Sequence, residues 1–400
     1  MNFRISNANI ITPYRIVTGT TLMISDGKIV GIGNEFPGFE DVTEIDAKGQ
    51  YLSPGFIDLH VHGGGGADFM DGDVDSFLQI AKTHAQFGTT SMCPTTLTSS
   101  MEDLFRTLDI YEQANQMNES GAQFLGMHLE GPYISRAQAG AQDTRFIRNP
   151  DPREYRQVLE RSKNIKRWSA APELTGSIEF AKWLRYNHVL PSIAHTDAIY
   201  EDVVEAFENG FTLATHFYSA MSGVTRRDAF RYAGVIESAY LLDEMDVEVI
   251  ADGHHLPPPL LRLIYQSKGP GRVALITDAM RAAGTNSTES ILGSRESGIS
   301  VIIEDGVAKM PDRSSFAGSV ATTDRLVRTM IQNASVPLTD AIRMITSTPA
   351  RILGLLETKG TIAPGKDADL VIFDSNINIS FTMVNGKPIY NKLFPEIEIK

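Results

Sequence analysis

Ile57-Asp58-Leu59-His60-Val61-His62 is an apolar run that ends on two imidazoles one residue apart. Alternate residues of a strand share a face, so His60 and His62 point the same way. Four further runs end on metal-ligand residue types: Met127-His128-Leu129-Glu130, Ser192-Ile193-Ala194-His195, Leu213-Ala214-Thr215-His216 and Ala274-Leu275-Ile276-Thr277-Asp278. Ends this far apart in sequence meet in space if the runs are strands of a closed parallel barrel, whose carboxyl ends share one rim.

Working outward, strand-like runs near 55–62, 89–95, 124–130, 165–172, 189–195, 211–217, 247–252 and 272–278 alternate with amphipathic helical stretches at 75–87, 104–117, 154–161, 178–186, 200–208 and 258–266. That alternation implies parallel βαβ units, and eight of them close a (β/α)8 TIM-like barrel. A polar insertion at 284–315 and two helices, at 322–333 and 338–346, follow the eighth strand. Both chain ends read as short strands, with hairpin signals at Asp26-Gly27 and Asn385-Gly386. The expected organisation is a catalytic barrel over 54–353 and a small β-sandwich domain assembled from 1–53 and 354–400.

The chain has 400 residues, 42% hydrophobic and 21% charged, enough to bury a large core. A formal charge of −13 argues against a nucleic-acid or anionic-membrane surface, so an anionic substrate must be met by a local positive pocket. The single cysteine, Cys93, excludes an internal disulfide and reads as a buried structural thiol in a reducing compartment. No apolar run approaches the roughly 18 residues of a membrane span, and the amino terminus lacks a signal-peptide pattern. A cytoplasmic location is expected.

Glu130, a lone carboxylate ending an apolar strand, needs a cation or hydrogen-bond donors nearby. His195 and His216 complete a Glu-His-His set with an open position, the pattern of a hydrolytic divalent metal that lowers the pKa of its water to about 7. His60 and His62 suit a metal as well and favour a second ion. Zinc or iron come first, manganese or cobalt next, since imidazole and carboxylate suit all four. Asp278 can accept a proton from the attacking water and return it to a leaving amine, or serve as a helix cap. His254 or His255 could hydrogen-bond a substrate carbonyl. Arg226 and Arg227 form either a fork for phosphate or a solvated loop pair. Gly63-Gly64-Gly65-Gly66 lacks the Lys-Ser/Thr of a phosphate cradle and reads as a flexible loop permitting close backbone approach. His84, His128 and His188 receive no role.

The segments Pro54–Gly63, His128-Leu129-Glu130-Gly131-Pro132, His216-Phe217-Tyr218-Ser219-Ala220-Met221, Ile250-Ala251-Asp252-Gly253-His254-His255 and Thr277-Asp278-Ala279, in that order, resemble the N-acetylglucosamine-6-phosphate deacetylase family of the amidohydrolase superfamily. The resemblance implies that Glu130, His195 and His216 hold the principal metal, with His60 and His62 available for a second ion that only some members carry. It implies Asp278 as catalytic base and acid and His255 as a substrate contact. Arg227 and the backbone around Ser219 and Ala220 would bind the sugar phosphate, with Ala141 and Phe316-Ala317-Gly318 lining the sugar pocket. It further implies a homodimer in which the arginine can come from the partner subunit. Many members have Asn at the position of Ser219 and a histidine near that of Gln142. A serine keeps a short hydrogen-bonding side chain, so phosphate binding is expected to survive, while the epimer preference stays open. Carboxylated-lysine amidohydrolases are set aside because no lysine lies between Lys82 and Lys163.

The expected reaction is hydrolysis of the acetamide of N-acetyl-D-glucosamine 6-phosphate. Rival readings are the same reaction on N-acetylgalactosamine 6-phosphate, a cyclic-amide hydrolase or dipeptidase on the same scaffold, and a non-catalytic sugar-phosphate sensor.

Overall fold

Eight strands form the barrel wall: β1 (Phe56–Val61), β2 (Thr89–Thr96), β3 (Met127–Glu130), β4 (Ile165–Ala170), β5 (Leu190–Ile193), β6 (Leu213–Ala214), β7 (Asp246–Ile250) and β8 (Val273–Ile276). The structure, a computed structural model, describes residues 1–393; residues 394–400, the end of the segment assigned to the small β domain, lie outside the described residues. Each strand pairs in parallel with the next. The ring closes between the ends of β8 and β1, where Val61 bridges Ala279 and the His62 N–H donates to the Ala279 carbonyl at 2.8 Å. Closure therefore falls among the ligand-type residues. Every residue of β1, β2, β3, β5 and β8 is buried, which is why β8 reads as an unbroken apolar run, while β2 buries Thr and Ser hydroxyls among its apolar residues.

Outside the wall lie α1 (Val74–Ala85), α2 (Met101–Met117), α3 (Pro152–Arg161), α4 (Ser177–Tyr186), α5 (Tyr200–Glu208), α6 (Val235–Leu241), α7 (Pro258–Lys268) and α8 (Thr323–Ala334). Their starts follow from capping chemistry. The Asp73 carboxylate accepts the Ser76 N–H at the start of α1, Ser100 caps α2 through the Asp103 N–H, and Asp151 precedes Pro152 at the start of α3. After α8 come α9 (Leu338–Ile345) and α10 (Ser347–Ile352).

Three features depart from expectation. α6 and α10 have too few residues for a periodic apolar face to register. The Arg226-Arg227 segment is a hairpin, Thr225–Arg227 against Phe230–Tyr232, turned by Asp228 and Ala229 with φ of 48° and 70°. Such a turn usually announces itself with Asn-Gly or Asp-Gly. The glycine run is likewise a hairpin, Gly63–Gly64 against Ala67–Asp68, and not a flexible loop. Close approach is nonetheless why glycine stands there, since a Cβ on Gly64 would lie 2.7 Å from His84 Nε2.

The two chain ends meet in a six-stranded sheet, in which Tyr51–Pro54 runs antiparallel to Leu370–Phe373 with Ser53 opposite Val371. A four-stranded sheet containing Asn2–Ser6 packs on it, and Phe3, Ile5, Leu22, Leu52, Ile372 and Phe381 share one core between the sheets. The insertion after β8 forms a three-stranded antiparallel sheet, Glu289–Leu292, Ile299–Glu304 and Val307–Lys309, whose Leu292, Val301 and Ala308 pack against Met280 and Ala317 beside the barrel mouth. Among the described residues, no helix is long and apolar enough to cross a membrane.

Candidate metal centre

His60 and His62 sit at the end of β1, and Glu130 is the last residue of β3. His195, His216 and Asp278 each lie two residues past a strand end, where the backbone turns into the left-handed region with φ of 48°, 33° and 48°. That conformation costs a residue with a Cβ about 1–2 kcal/mol. Its recurrence at three converging strand ends marks a site built at some expense of stability.

Glu130 divides its two oxygens. Oε1 lies 3.2 Å from His195 Nε2 and 3.0 Å from His216 Nε2, and those two nitrogens are 3.2 Å apart. Oε2 lies 3.3 Å from His62 Nε2 and 3.5 Å from His60 Nε2, themselves 3.0 Å apart. Asp278 Oδ1 approaches the same pair, 3.4 Å from His60 and 3.2 Å from His62. The five ligand-type residues thus form two groups that share Glu130.

Tautomers decide whether a cation fits. His195 Nδ1 faces the Gln138 carbonyl at 2.7 Å and His216 Nδ1 the Ser219 carbonyl at 3.1 Å. A carbonyl only accepts, so both protons reside on Nδ1 and both Nε2 lone pairs turn inward. Two nitrogen lone pairs and a carboxylate oxygen then converge with no proton between them, and a divalent cation resolves that conflict. The group fits a metal. His60 and His62 lack such carriers, for neither Nδ1 has a hydrogen-bond partner. Burial opposes the charged form of both rings, yet the Glu130 and Asp278 carboxylates raise His60 to about 9 and His62 to about 10. Burial works against charge on Glu130 too, and the surrounding imidazoles still hold it well below the usual carboxylate range.

A cavity of about 640 Å³ opens over the centre, lined by His62, Glu130, His195, His216 and Asp278 and by Ala141, Ser219, Ala220, His255, Phe316 and Gly318. His255 Nδ1 donates to Asp252 Oδ2 at 2.8 Å, and its ring lies 4.7 Å from that of Phe316. Three expected residues do not line this cavity, and of these His60 lies fully buried beneath it. Ala317 is buried in the cluster behind it. Arg227 is exposed on its hairpin, its guanidinium 5.5 Å from the Tyr232 ring.

Several contributors were given no role from the sequence. Gln142 donates to Glu130 Oε2 at 2.8 Å. Beneath the metal groups, the Arg167 guanidinium pairs with Glu248 and bonds Ser192, Thr215 and the Leu59 carbonyl, spanning the barrel interior. Glu248 Oε2 is 4.0 Å from His60 Nδ1. His128 joins this floor through Thr95 and Ser169, and burial together with Arg167 holds it well below the ordinary histidine range. A charged residue inside an apolar strand, as in Val247-Glu248-Val249, was the available signal.

Residues 51–389 match the model of the amidohydrolase family. The N-acetylglucosamine-6-phosphate deacetylase of Bacillus subtilis is 33% identical over 387 residues, covering 96% of each chain. The N-acetylgalactosamine-6-phosphate deacetylase of Escherichia coli O157:H7 is also 33% identical, over 92% of this chain and 93% of its own. Among solved structures, N-acetylglucosamine-6-phosphate deacetylase from Pasteurella multocida superposes with a TM-score of 0.90 at 28% identity, covering 98% of this chain and 100% of its own.

Proposed function

The chain belongs to the amidohydrolase family, and from that premise we propose that it hydrolyses the acetamide of N-acetyl-D-glucosamine 6-phosphate to acetate and D-glucosamine 6-phosphate. The observation that carries this reading is the Glu130–His195–His216 group meeting Asp278 and His255 around one cavity. A divalent ion there, zinc or iron first and manganese or cobalt next, supplies a Lewis acid that polarises a carbonyl and makes water nucleophilic near neutral pH. The His60–His62 group offers room for a second ion.

Asp278 is the proton carrier. It accepts the proton of the attacking water at a carboxylate oxygen and delivers it to the departing sugar nitrogen, so that the amine leaves neutral. His255 donates from Nδ1 to Asp252, and with both ring nitrogens protonated its Nε2–H, on the opposite ring edge, donates to the acetamide carbonyl oxygen as charge builds on it. Ala141, Phe316 and Gly318 border the sugar, and the backbone at Ser219 and Ala220 receives the phosphate. Arg227 stands off its own cavity, so the charge partner of that phosphate is assigned to Arg227 of the partner subunit in a homodimer. A cytoplasmic location suits a substrate of this kind.

The galactosamine epimer is the second reading, supported by the relative named for that activity and left open by Ser219. Acetate release from both N-acetylhexosamine 6-phosphates, measured on metal-analysed protein, tests the proposal. Faster turnover of the glucosamine substrate is expected; release from neither would end the reading. Arg227→Ala is expected to raise KM for the phosphorylated sugar with little change in kcat, and an unchanged KM would favour a cyclic-amide or dipeptide substrate.

A further inference from the structure

We propose that Gln142 is a positioning residue that fixes the rotation of the Glu130 carboxylate and thereby sets how tightly Glu130, His195 and His216 hold their divalent cation. The proposal rests on the reading that those three residues are metal ligands.

The orientation of the Gln142 amide is determined by its surroundings. Its Oε1 accepts the Thr98 backbone N–H at 2.7 Å, and because a backbone N–H only donates, the atom facing it is the carbonyl oxygen. The NH₂ group is therefore turned to Glu130 Oε2, to which it donates at 2.8 Å. Gln142 is 6% exposed, so water does not compete for either bond on equal terms. The two oxygens of a carboxylate move as one rotor. A fixed donor on Oε2 places Oε1 opposite His195 and His216.

Among the described residues, every other donor near Oε2 is shared with a second carboxylate. The remaining neighbours of Oε2 are His60 and His62 at 3.5 and 3.3 Å, and both rings face Asp278 Oδ1 at similar distances of 3.4 and 3.2 Å. The main chain of Glu130 is held separately, its carbonyl accepting from Thr98 Oγ1 at 3.4 Å. Thr98 thus grips the Glu130 main chain directly through its hydroxyl and the Glu130 carboxylate through its own backbone N–H by way of Gln142.

The segment that delivers Gln142 also orients a second ligand. The Gln138 carbonyl fixes the His195 tautomer, and the Ser135 N–H donates to the His195 carbonyl at 2.8 Å. Ser135 Oγ and Gln138 Nε2 both donate to Asp197, at 2.6 and 2.7 Å, tying the segment to the chain just past His195. Residues 135–142 therefore act as a clasp on two of the three ligands of one metal group. Partners of this kind alter metal affinity by about 10–100-fold when removed.

The test measures Zn²⁺ affinity of the metal-stripped full chain by chelator competition, with thermal melts of the same stripped samples. Gln142→Met keeps the volume and removes the amide. Gln142→Glu keeps the acceptor for Thr98 and replaces the donor to Glu130 with a like charge. Both variants are expected to lose about 10–100-fold in Zn²⁺ affinity, while their stripped forms melt close to the wild type. Zn²⁺ affinity within about threefold of wild type in both variants overturns the proposal, whether KM rises, which would make Gln142 a substrate contact only, or the stripped melt falls, which would make it a packing residue. Failure of the wild type itself to take up Zn²⁺ would instead refute the ligand reading beneath it.

Discussion

Asp278 makes the sharpest claim at the scale of single residues. Burial works against its charge, but His60 and His62 outweigh that and hold its carboxyl below the usual range, so it stands ready to accept a proton. Asparagine at this position fills the same volume and cannot take one. Asp278→Asn is therefore expected to reduce acetate release by at least about 10²–10⁴-fold with zinc content unchanged by elemental analysis. Turnover near wild type would remove Asp278 from the reaction. That Asp278, Glu130, His195 and His216 would converge was legible in the sequence, because each ends a strand-like run and a parallel barrel gathers such ends on one rim. Gln138 and Ser219 were not, since each fixes a histidine through a carbonyl that any residue would offer. Asp252 lay inside a segment already singled out, yet its service to His255 shows only once the loop after β7 is folded.

At the scale of elements, most barrel strands were readable as buried runs and the helices other than the short α6 and α10 as periodic faces, whereas both hairpins were not. The Arg227 hairpin turns on Asp-Ala, and the hairpin after His62 turns on glycines that equally describe a loose loop. The latter is clamped from outside, for His84 Nε2 lies 2.9 Å from the Gly63 carbonyl, so the buried ring of α1 holds the segment that follows His60 and His62 of β1. Gly64 and Gly66 separate close approach from turn geometry. A Cβ on Gly64 meets His84 Nε2 at 2.7 Å, whereas one on Gly66 meets nothing within 4 Å and suffers only from its φ of 88°. Gly64→Ala is expected to destabilise by about 1–3 kcal/mol through overpacking, and Gly66→Ala by about 1 kcal/mol through backbone strain. Denaturant melts that rank the two in the opposite order would show that the turn, and not the clamp on His84, orders this hairpin.

For the whole molecule, the metal is expected to be a stability element as well as a reagent, because a cation that binds only the folded chain adds RT ln(1 + [L]/Kd), about 4 kcal/mol at a thousandfold excess over Kd. Cys93 provides the gauge. It is fully buried within β2, and burial pushes its thiol up to about 12, so neither access nor ionisation permits reaction until the barrel opens. At pH 8 a thiol reagent should label the native chain at the rate of global opening, and the denatured chain at once, with one thiol per chain. Stripping the metal should speed labelling, and restoring zinc should slow it again. Labelling that ignores the metal would mean that the ligand groups hold together without it. The sign with pH follows from the raised thiol value. Below the unfolded value of 9 both states keep the proton and the contribution of Cys93 is fully present; as pH rises toward 12 the unfolded chain ionises first, and that stability is lost. Opening measured through Cys93 should accordingly become easier across pH 9 to 12 in both the zinc-loaded and the stripped protein.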